Sequence, residues 1–320
     1  MIRFVARRLC YLAVVLVIIT FVTYVVFFLG NPKNLAGRFA GRDATPEAIK
    51  DAAIRLGLNH GFWYQYWHYV IGLLHGSFGL DFQNQIPVNS EIARAFPVTA
   101  SLVAGAVVLW LLIGIPIGIM SATHPRSFRD RAGTIFALTF LSMPTFVLGL
   151  MFLLVLYFYL TEAGIHWFPP AGYVPLTQSP VQWAVHLILP WFTLALVQAA
   201  IYTRLIRSSV LDVLGEDYIR TARAKGLNRR TILYKHAVRA ALTPVVTQLG
   251  IDIGTLLAGA VVTEHVFGLT GLGQLGLNAI FNGDLPVVAA VVVLAATFIV
   301  VMNTFVDIVY AFLDPRVRLT

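Results

Sequence analysis

The stretch DYIRTARAKGLNRRTILYKHAVRAALTP, residues 217–244, places seven Lys and Arg residues between two long apolar runs. The rest of the chain is very different: of its 320 residues, 58% are hydrophobic and only 12% are charged. A soluble domain carries about 25% charged residues, so this composition is typical of an integral membrane protein. The single strongly basic segment in such a chain therefore needs its own explanation.

Six apolar runs reach the roughly 20 residues that a helix needs to cross a bilayer. The sequence therefore predicts an all-α integral membrane protein with six transmembrane helices. The first run is longer than the roughly 7–15 apolar residues of a secretory signal, so we expect it to be retained as a span. The runs are 9–29, 98–120, 133–160, 186–206, 243–265 and 287–311.

The net charge of +8 is distributed unevenly along the chain. Three Lys or Arg residues precede the first span and nine lie from Arg204 to Arg239, whereas 161–185 and 266–286 contain none. Because cytoplasmic loops collect Lys and Arg, we expect both termini and the basic segment on the cytoplasmic side. Nucleic acid is not expected as a partner, because membrane spans tether the basic segment at both ends.

Hydropathy divides the chain into four parts. Residues 1–29 form an N-terminal transmembrane helix, and residues 30–97 form an extracytoplasmic region. A five-helix core, 98–311, contains the basic loop 207–241, and residues 312–320 form a cytoplasmic tail.

The extracytoplasmic region contains a helix-capping pattern followed by an aromatic stretch. Thr45 is suited to the N-cap, Pro46 to the first helical position and Gly57 to the helix end. The stretch FWYQYWHYVIGLLHGSFG, residues 62–79, then suits an amphipathic helix. We interpret it either as lying on the headgroups or as helping to receive an external partner.

The internal pattern of the basic segment predicts two short helices. Apolar residues recur at helical spacing over 209–225, and Gly226 is a natural left-handed stop. Asn228 can cap a second helix that runs toward Pro244. Charge alone predicts contact with anionic membrane lipid. The helix–glycine–helix arrangement, with small Thr221, Ala222 and Ala224 near its bend, favours a mechanical coupler that fits a partner's groove.

Asp252 lies near the middle of the fifth apolar run. A carboxylate at the bilayer centre costs about 2.5–3.5 kcal/mol on insertion scales. Asp252 is therefore interpreted either as a residue of a transport pathway or as a hydrogen-bonded packing residue. Glu264 lies roughly 18 Å further along a helix, too far for direct proton transfer.

Other motifs do not support a catalytic, cofactor-binding or metal site in this chain. GLGQLG, residues 271–276, matches the dinucleotide fingerprint, but no strand precedes it, so we expect a flexible outer loop. The chain has no P-loop motif, so ATP would not bind here by that route. Its only cysteine is Cys10, and its eight histidines lack metal-ligand spacing.

The stretch YIRTARAKGLNRRTILYKHAVRAALTPVVT, residues 218–247, resembles the cytoplasmic EAA loop of ABC importer permeases, in the form of the dipeptide/oligopeptide/nickel branch. The chain most resembles the first ("B") permease subunit of that branch. Four other stretches agree in position: GSFGLDFQNQIPV (76–88), FPPAGY (168–173), GLTGLGQLGLNAIFNGDLPVV (268–288) and LDPRVR (313–318).

The resemblance implies a type I-like importer fold in which this loop couples to an ATPase. Arg220 and Thr221 stand where the general pattern has Glu and Ala, whereas Ala222 and Gly226 match it. The ATPase-coupling residues that the resemblance implies are Tyr218, Arg220, Thr221, Ala222, Arg223, Ala224, Lys225, Gly226 and Leu227.

The resemblance also implies partners and a function. We expect a sister permease subunit, two cytoplasmic ABC ATPase subunits that bind ATP and Mg, and an extracytoplasmic substrate-binding protein. This chain would form half of a pathway for di- and oligopeptides in a bacterial or archaeal cytoplasmic membrane, and would not itself be an enzyme. Nickel chelates, glutathione or another small solute remain alternative substrates, and a proton-driven secondary transporter is an alternative mechanism.

Overall fold

The computed structural model describes residues 2–29, 32–41 and 44–313. The predicted tail therefore lies outside the described residues from position 314 onward. The described part contains no extended sheet, only an isolated bridge between Leu80 and Pro87. Six helices are long and apolar enough to cross a membrane, which confirms the predicted all-α fold with six spans. They are Cys10–Phe27, Val88–Thr123, Thr145–Glu162, Pro180–Gly215, Arg229–Leu257 and Leu285–Val306.

Fifteen α-helices can be followed along the described residues, and three π-helical segments continue some of them. The π-helical segments are Val25–Leu29, Leu153–Tyr159 and Ile232–Val238. The α-helices are α1 (Ile2–Tyr24), α2 (Pro32–Ala40), α3 (Pro46–Arg55), α4 (Phe62–Leu74), α5 (Val88–Thr123), α6 (Phe128–Ser142), α7 (Thr145–Phe152), α8 (Leu160–Glu162), α9 (Pro180–Gly215), α10 (Asp217–Ala224), α11 (Arg229–Thr231), α12 (Arg239–Leu257), α13 (Val261–Val266), α14 (Leu272–Asn282) and α15 (Leu285–Leu313).

The chain forms two compact units. The first consists of Met1–Thr99, Gly254–Val261 and Thr270–Thr304. The second consists of Ala100–Ile253, Val262–Leu269 and Phe305–Thr320.

In the first unit, the capping pattern predicted for α3 is confirmed. The Thr45 hydroxyl accepts a hydrogen bond from the backbone N–H of Ala48, and Pro46 is the first helical residue. Gly57 adopts φ +68°, the left-handed conformation that ends the helix without steric penalty.

The aromatic stretch 62–79 is helical only as far as Leu74, and this helix packs on α1. The Tyr24 hydroxyl donates to Gln65 Oε1 at 2.8 Å, and the Phe21 and Trp63 rings stack with centroids 6.3 Å apart. Trp63 and Trp67 are nevertheless more than half exposed. The headgroup contact and the partner contact predicted for this stretch both stay predictions.

The loop 76–87 links α2 to the start of α15. The backbone N–H of Phe82 donates to the Asp284 carboxylate at 3.0 Å, and the Phe82 ring meets Phe39 edge to face. The Arg38 guanidinium donates to the backbone carbonyl of Gly283 at 2.8 Å. These contacts hold three segments of the first unit together at the beginning of the last span.

The expected flexible loop at GLGQLG is wrong. These residues begin α14, and Leu272, Gly273 and Gly276 are buried. A Cβ added to Gly273 would lie 2.8 Å from the Val261 backbone, so the glycine is needed for close packing rather than for flexibility.

In the second unit, small residues on the second span, α5, allow close helix packing. A Cβ at Gly114 would lie 3.0 Å from the Tyr202 side chain, and one at Gly118 would lie 2.8 Å from Ile206. The absence of side chains at these two positions therefore lets α5 and α9 approach closely, as membrane helices commonly do.

The two intramembrane prolines act differently. Pro144 separates α6 from α7. α6 ends at Ser142, the next residue, Met143, is extended (φ −94°, ψ 120°), and Pro144 is the N-cap of α7. Pro190 lies inside α9, which runs on without interruption.

The fifth apolar run, expected to be one helix to residue 265, instead ends as α12 at Leu257, and Glu264 lies in the separate helix α13.

Candidate functional site

The basic segment follows directly from the fourth span. α9 continues as a single helix to Gly215, and only Glu216, which is extended (φ −66°, ψ 148°), separates it from α10. The short helix expected over 209–225 is therefore wrong in its start, because residues 209–215 extend the span. Residues 208–215 include Asp212 and two serines. These polar residues are compatible with a helix that continues beyond the membrane.

The bend after α10 follows the prediction. Gly226 has φ +75°, which ends the helix. The Asn228 side chain then accepts a hydrogen bond from the backbone N–H of Arg230 and caps α11. The next residues pass through a π-helical stretch, Ile232–Val238, directly into α12.

A small apolar cluster holds α10 against the residues on either side of it. Ile219 and Ala222 of α10 contact Ile232 and Ala237, and Val213 and Leu214 of α9 pack against the same cluster. A displacement of α10 would thus act on both α9 and the helix that leads into α12.

The predicted coupling residues divide into one buried and eight exposed positions. Ala222 is 9% exposed and faces the cluster, so it acts through packing and does not offer a surface to a partner. Tyr218 is 48% exposed. Arg220 lies 3.3 Å from Asp217 in an ion pair that is open to solvent. The exposed positions are Tyr218, Arg220, Thr221, Arg223, Ala224, Lys225, Gly226 and Leu227.

The sequence does not predict the ion pair between Arg207 and Asp130 that lies beside this segment. Arg207 of α9 donates to both oxygens of Asp130, from Nε at 2.7 Å and from Nη2 at 3.0 Å. The Ser121 hydroxyl and the Arg126 N–H donate to the same carboxylate, which is almost fully buried. These bonds join the end of α5 and the start of α6 to α9.

The four hydrogen-bond donors lower the pKa of the Asp130 carboxyl group. The hydrogen bonds from Arg207 and Ser121 hold the pKa of Asp130 well below its usual range, although burial by itself would raise it. The sequence indicates this ion pair only weakly. Ser127 and Asp130 have the spacing of a helix N-cap, but nothing in the sequence connects Asp130 to Arg207.

Asp252, the candidate pathway residue, lies on α12 and is partly buried. The Tyr202 hydroxyl donates to Asp252 Oδ2 at 2.9 Å, and Gln248 Nε2 donates to Oδ1 at 2.9 Å. Each oxygen retains further acceptor capacity, so the carboxylate is held in position and is still able to accept a hydrogen bond from a passing solute. Both readings of Asp252 are compatible with this geometry.

Glu264, considered with Asp252 for proton transfer, is fully buried in α13. Among the described residues there is no group of three or more His, Cys, Asp or Glu side chains that could hold a metal ion.

Two family profiles match the chain. The family described as the binding-protein-dependent transport system inner membrane component matches residues 114–319, and the N-terminal component of the same systems matches residues 1–103. Together they cover nearly the whole sequence.

Several relatives match along their full length. The chain is 36% identical to the dipeptide transport system permease protein of Escherichia coli strain K12, with 99% of each chain covered. It is 37% identical to the dipeptide permease protein of Alkalihalophilus pseudofirmus, with 99% of this chain and all of the other covered. It is 35% identical to the glutathione transport system permease protein of Salmonella typhimurium, with 99% of each covered.

The fold is also similar to that of a solved transporter. An inward-facing structure of the MetNI methionine ABC transporter matches with a TM-score of 0.53 at 19% identity, covering 70% of this chain and 96% of the other. This likeness concerns the fold alone. The profile and the full-length relatives show that the chain belongs to the family of inner-membrane components of binding-protein-dependent transport systems, as the multi-pass permease subunit of an ABC importer.

Proposed function

We propose that this permease forms half of the translocation pathway for di- and oligopeptides, together with a sister permease subunit. An extracytoplasmic binding protein delivers the peptide, and two cytoplasmic ABC ATPases bind ATP and Mg and hydrolyse the ATP. The observation that carries this proposal is the exposed basic face of α10, placed one residue beyond the end of an unbroken span.

The coupling mechanism follows from the packing of α10. When ATP closes the two ATPases, each moves the coupling helix that it holds. Because α10 shares its apolar cluster with α9 and with the helix leading into α12, that movement tilts two spans together. ATP favours an outward-open pathway only to the extent that the ATPases bind this state of the permease more tightly.

The distribution of positive charge supports a cytoplasmic position for α10. The nine Lys and Arg residues from Arg204 to Arg239 lie within or beside the coupling segment. Cytoplasmic loops collect such residues, so both termini lie on the same side as α10 in this proposal.

The descriptions of the matched relatives support a peptide as the substrate class. Three of the matched permeases are described as dipeptide, peptide or glutathione transport proteins. All of these names describe peptides or peptide-like solutes, and a dipeptide or short oligopeptide is the substrate that we propose.

The coupling role can be tested with charge reversal on the exposed face. In the complete transporter, the double variant Arg223→Glu/Lys225→Glu should retain its level in the membrane but lose ATPase co-purification by about tenfold and lose uptake. The matched control is Arg129→Glu/Arg131→Glu, which makes the same charge change at exposed positions of α6. Equal ATPase recovery from both double variants would contradict the proposal.

The energy source is tested separately. Uptake into cells that lack the ATPase subunits should stop, and an uncoupler should have little immediate effect while ATP is maintained. Uptake that survives loss of the ATPases and collapses with the uncoupler would instead support a proton-driven transporter.

A further inference from the structure

A cavity of about 600 Å³ opens between α5, α6 and α9 in the second unit. One part of its lining is polar and includes Arg204, Arg207 and Ser208 of α9 with Thr134 of α6. The other part is apolar. Its apolar side chains are Leu138, Leu141, Ile201 and Leu205.

The sequence places this cavity at the boundary between hydrocarbon and headgroups. α9 has no Lys, Arg, Asp or Glu before Arg204, and Arg207 follows one turn later. α6 has its last charged residue at Arg131 and is uncharged from there to its end. Both helices therefore change from charged to apolar at the cavity, as helices do where they cross the membrane interface.

The charges around the cavity do not cancel. Asp130 neutralises Arg207 through two hydrogen bonds, so the charge of Arg207 is already paired within the protein. Arg204 is exposed and has no hydrogen bond or ion pair to the described residues. The cavity therefore presents one unpaired guanidinium to whatever occupies it, and a guanidinium prefers phosphate or carboxylate oxygens.

We propose that this cavity binds an anionic phospholipid, with its phosphate at Arg204 and Ser208 and the upper part of an acyl chain against Leu138 and Ile201. A soluble anion would use the guanidinium but would leave the apolar wall exposed to water. The surface of α6 next to the cavity is also apolar and exposed at Ile135, as a lipid-facing surface requires. The proposal rests on the observed cavity and the membrane location of the family, and it does not depend on which peptide is transported.

The position of this lipid would affect coupling. Arg204 lies eleven residues before Gly215, about 16 Å along the axis of α9. A lipid at this point would contact the same rigid helix that carries α10, so the anionic lipid content of the membrane would influence how readily α9 tilts.

The test uses the complete purified transporter in nanodiscs of phosphatidylcholine with added phosphatidylglycerol. Native mass spectrometry after partial delipidation should find phosphatidylglycerol retained by the wild type. Arg204→Gln should reduce this retention by about fivefold, the effect expected for one basic side chain at an anionic surface. Arg129→Gln, which removes an equal charge outside the cavity, should retain as much as the wild type.

A second variant blocks the cavity and leaves the charge of Arg204 unchanged. Ser208→Trp fills the polar end at an exposed position and should displace the lipid while Arg204 remains. Retention by Arg204→Gln equal to the wild type, or equal losses in Arg204→Gln and Arg129→Gln, would overturn the proposal. Displacement of the lipid by inorganic phosphate or by free dipeptide would also overturn it, because the occupant would then be a soluble anion.

Discussion

The carboxyl groups of Asp81 and Asp284 hydrogen-bond each other where loop 76–87 meets the start of α15. Their exposed fractions are only 2% and 4%. The backbone N–H of Gln83 donates to Asp81 at 2.6 Å, and that of Phe82 donates to Asp284 at 3.0 Å. Two buried carboxyls in contact cannot both ionise at low energetic cost, so they share one proton.

The shared proton resides on Asp284. Burial and the neighbouring Asp81 raise the pKa of Asp284 to about 7. Burial would also raise the pKa of Asp81, but hydrogen bonds from Asp284, Gln83 and Asn84 lower it. Below about pH 7 the protonated Asp284 therefore donates to the Asp81 carboxylate, and this bond fastens loop 76–87 to the start of the last span.

We predict that this contact weakens as the pH rises through about 7. A carboxyl whose pKa is raised in the folded state binds its proton more tightly there than in the unfolded chain, so its stabilisation is lost as the proton leaves. Other charged groups near the pair are Glu91, which interacts with Asp81, and Arg94, which interacts with Glu91. Arg38 contacts the preceding carbonyl of Gly283.

Hydrogen exchange at the Phe82 amide measures this effect. The protection factor, corrected for intrinsic exchange, should fall between pH 6 and pH 8 in the wild type. Asp284→Asn keeps a neutral donor at this position and should show little change over the same interval. Parallel pH profiles of the two proteins would contradict a shared proton.

Gly105 makes a second testable contact. A Cβ at this position would lie 2.0 Å from the Trp191 ring, whose Nε1 donates to the Ser101 carbonyl at 3.0 Å. Gly105→Ala should destabilise the protein by about 1–3 kcal/mol, because the indole must move and its hydrogen bond is strained.

The control is Gly215→Ala at the end of α9, where an added Cβ meets nothing within 4 Å. Its thermal unfolding temperature in detergent should equal or slightly exceed that of the wild type, since alanine favours a helix. A Gly105→Ala protein as stable as the control would show that Trp191 does not pack as described.

How much the sequence predicts depends on the range of the interaction. The six spans, the Thr45 cap, the Gly226 stop and the Asn228 cap all follow from neighbouring residues, and the structure confirms them. Local patterns determine such features because their partners lie within one turn of helix.

Interactions between distant parts of the chain could not be predicted. Asp130 and Arg207 belong to different helices, and only tertiary packing brings them together. The loop expected at GLGQLG, residues 271–276, is wrong because the packing of Gly273 against Val261 cannot be recognised from sequence spacing. The sequence does not predict the end of α9 at Gly215, because polar residues near a membrane boundary are equally compatible with a loop and with a protruding helix.

Asp130→Asn tests the missed ion pair. The asparagine removes the charge that Arg207 faces and weakens two charge-assisted hydrogen bonds, so the free energy of unfolding should fall by about 1–3 kcal/mol. Because the pKa of Asp130 is lowered in the folded protein, its stabilisation is complete above the ordinary value of 3.8 and is lost only as the pH falls below it.

The stability difference between wild type and Asp130→Asn should accordingly stay constant from pH 8 to pH 5. In a double-mutant cycle, adding Arg207→Gln to Asp130→Asn should cost less than Arg207→Gln alone. Additive losses would show that the two side chains do not interact.

Asp252→Asn tests whether the carboxylate held by Tyr202 and Gln248 acts on the transported solute. The amide keeps the size of the side chain and an oxygen for the Tyr202 hydroxyl, but it removes the negative charge that would attract the ammonium group of a peptide. We expect uptake to fall severalfold while thermal stability and ATPase association remain at wild-type levels. Tyr202→Phe is the matched control, because it removes one hydrogen bond, leaves the charge in place, and should lower stability by about 1 kcal/mol with little effect on uptake. If Asp252→Asn transports as well as the wild type, Asp252 is a packing residue, and the transported solute passes without using its charge.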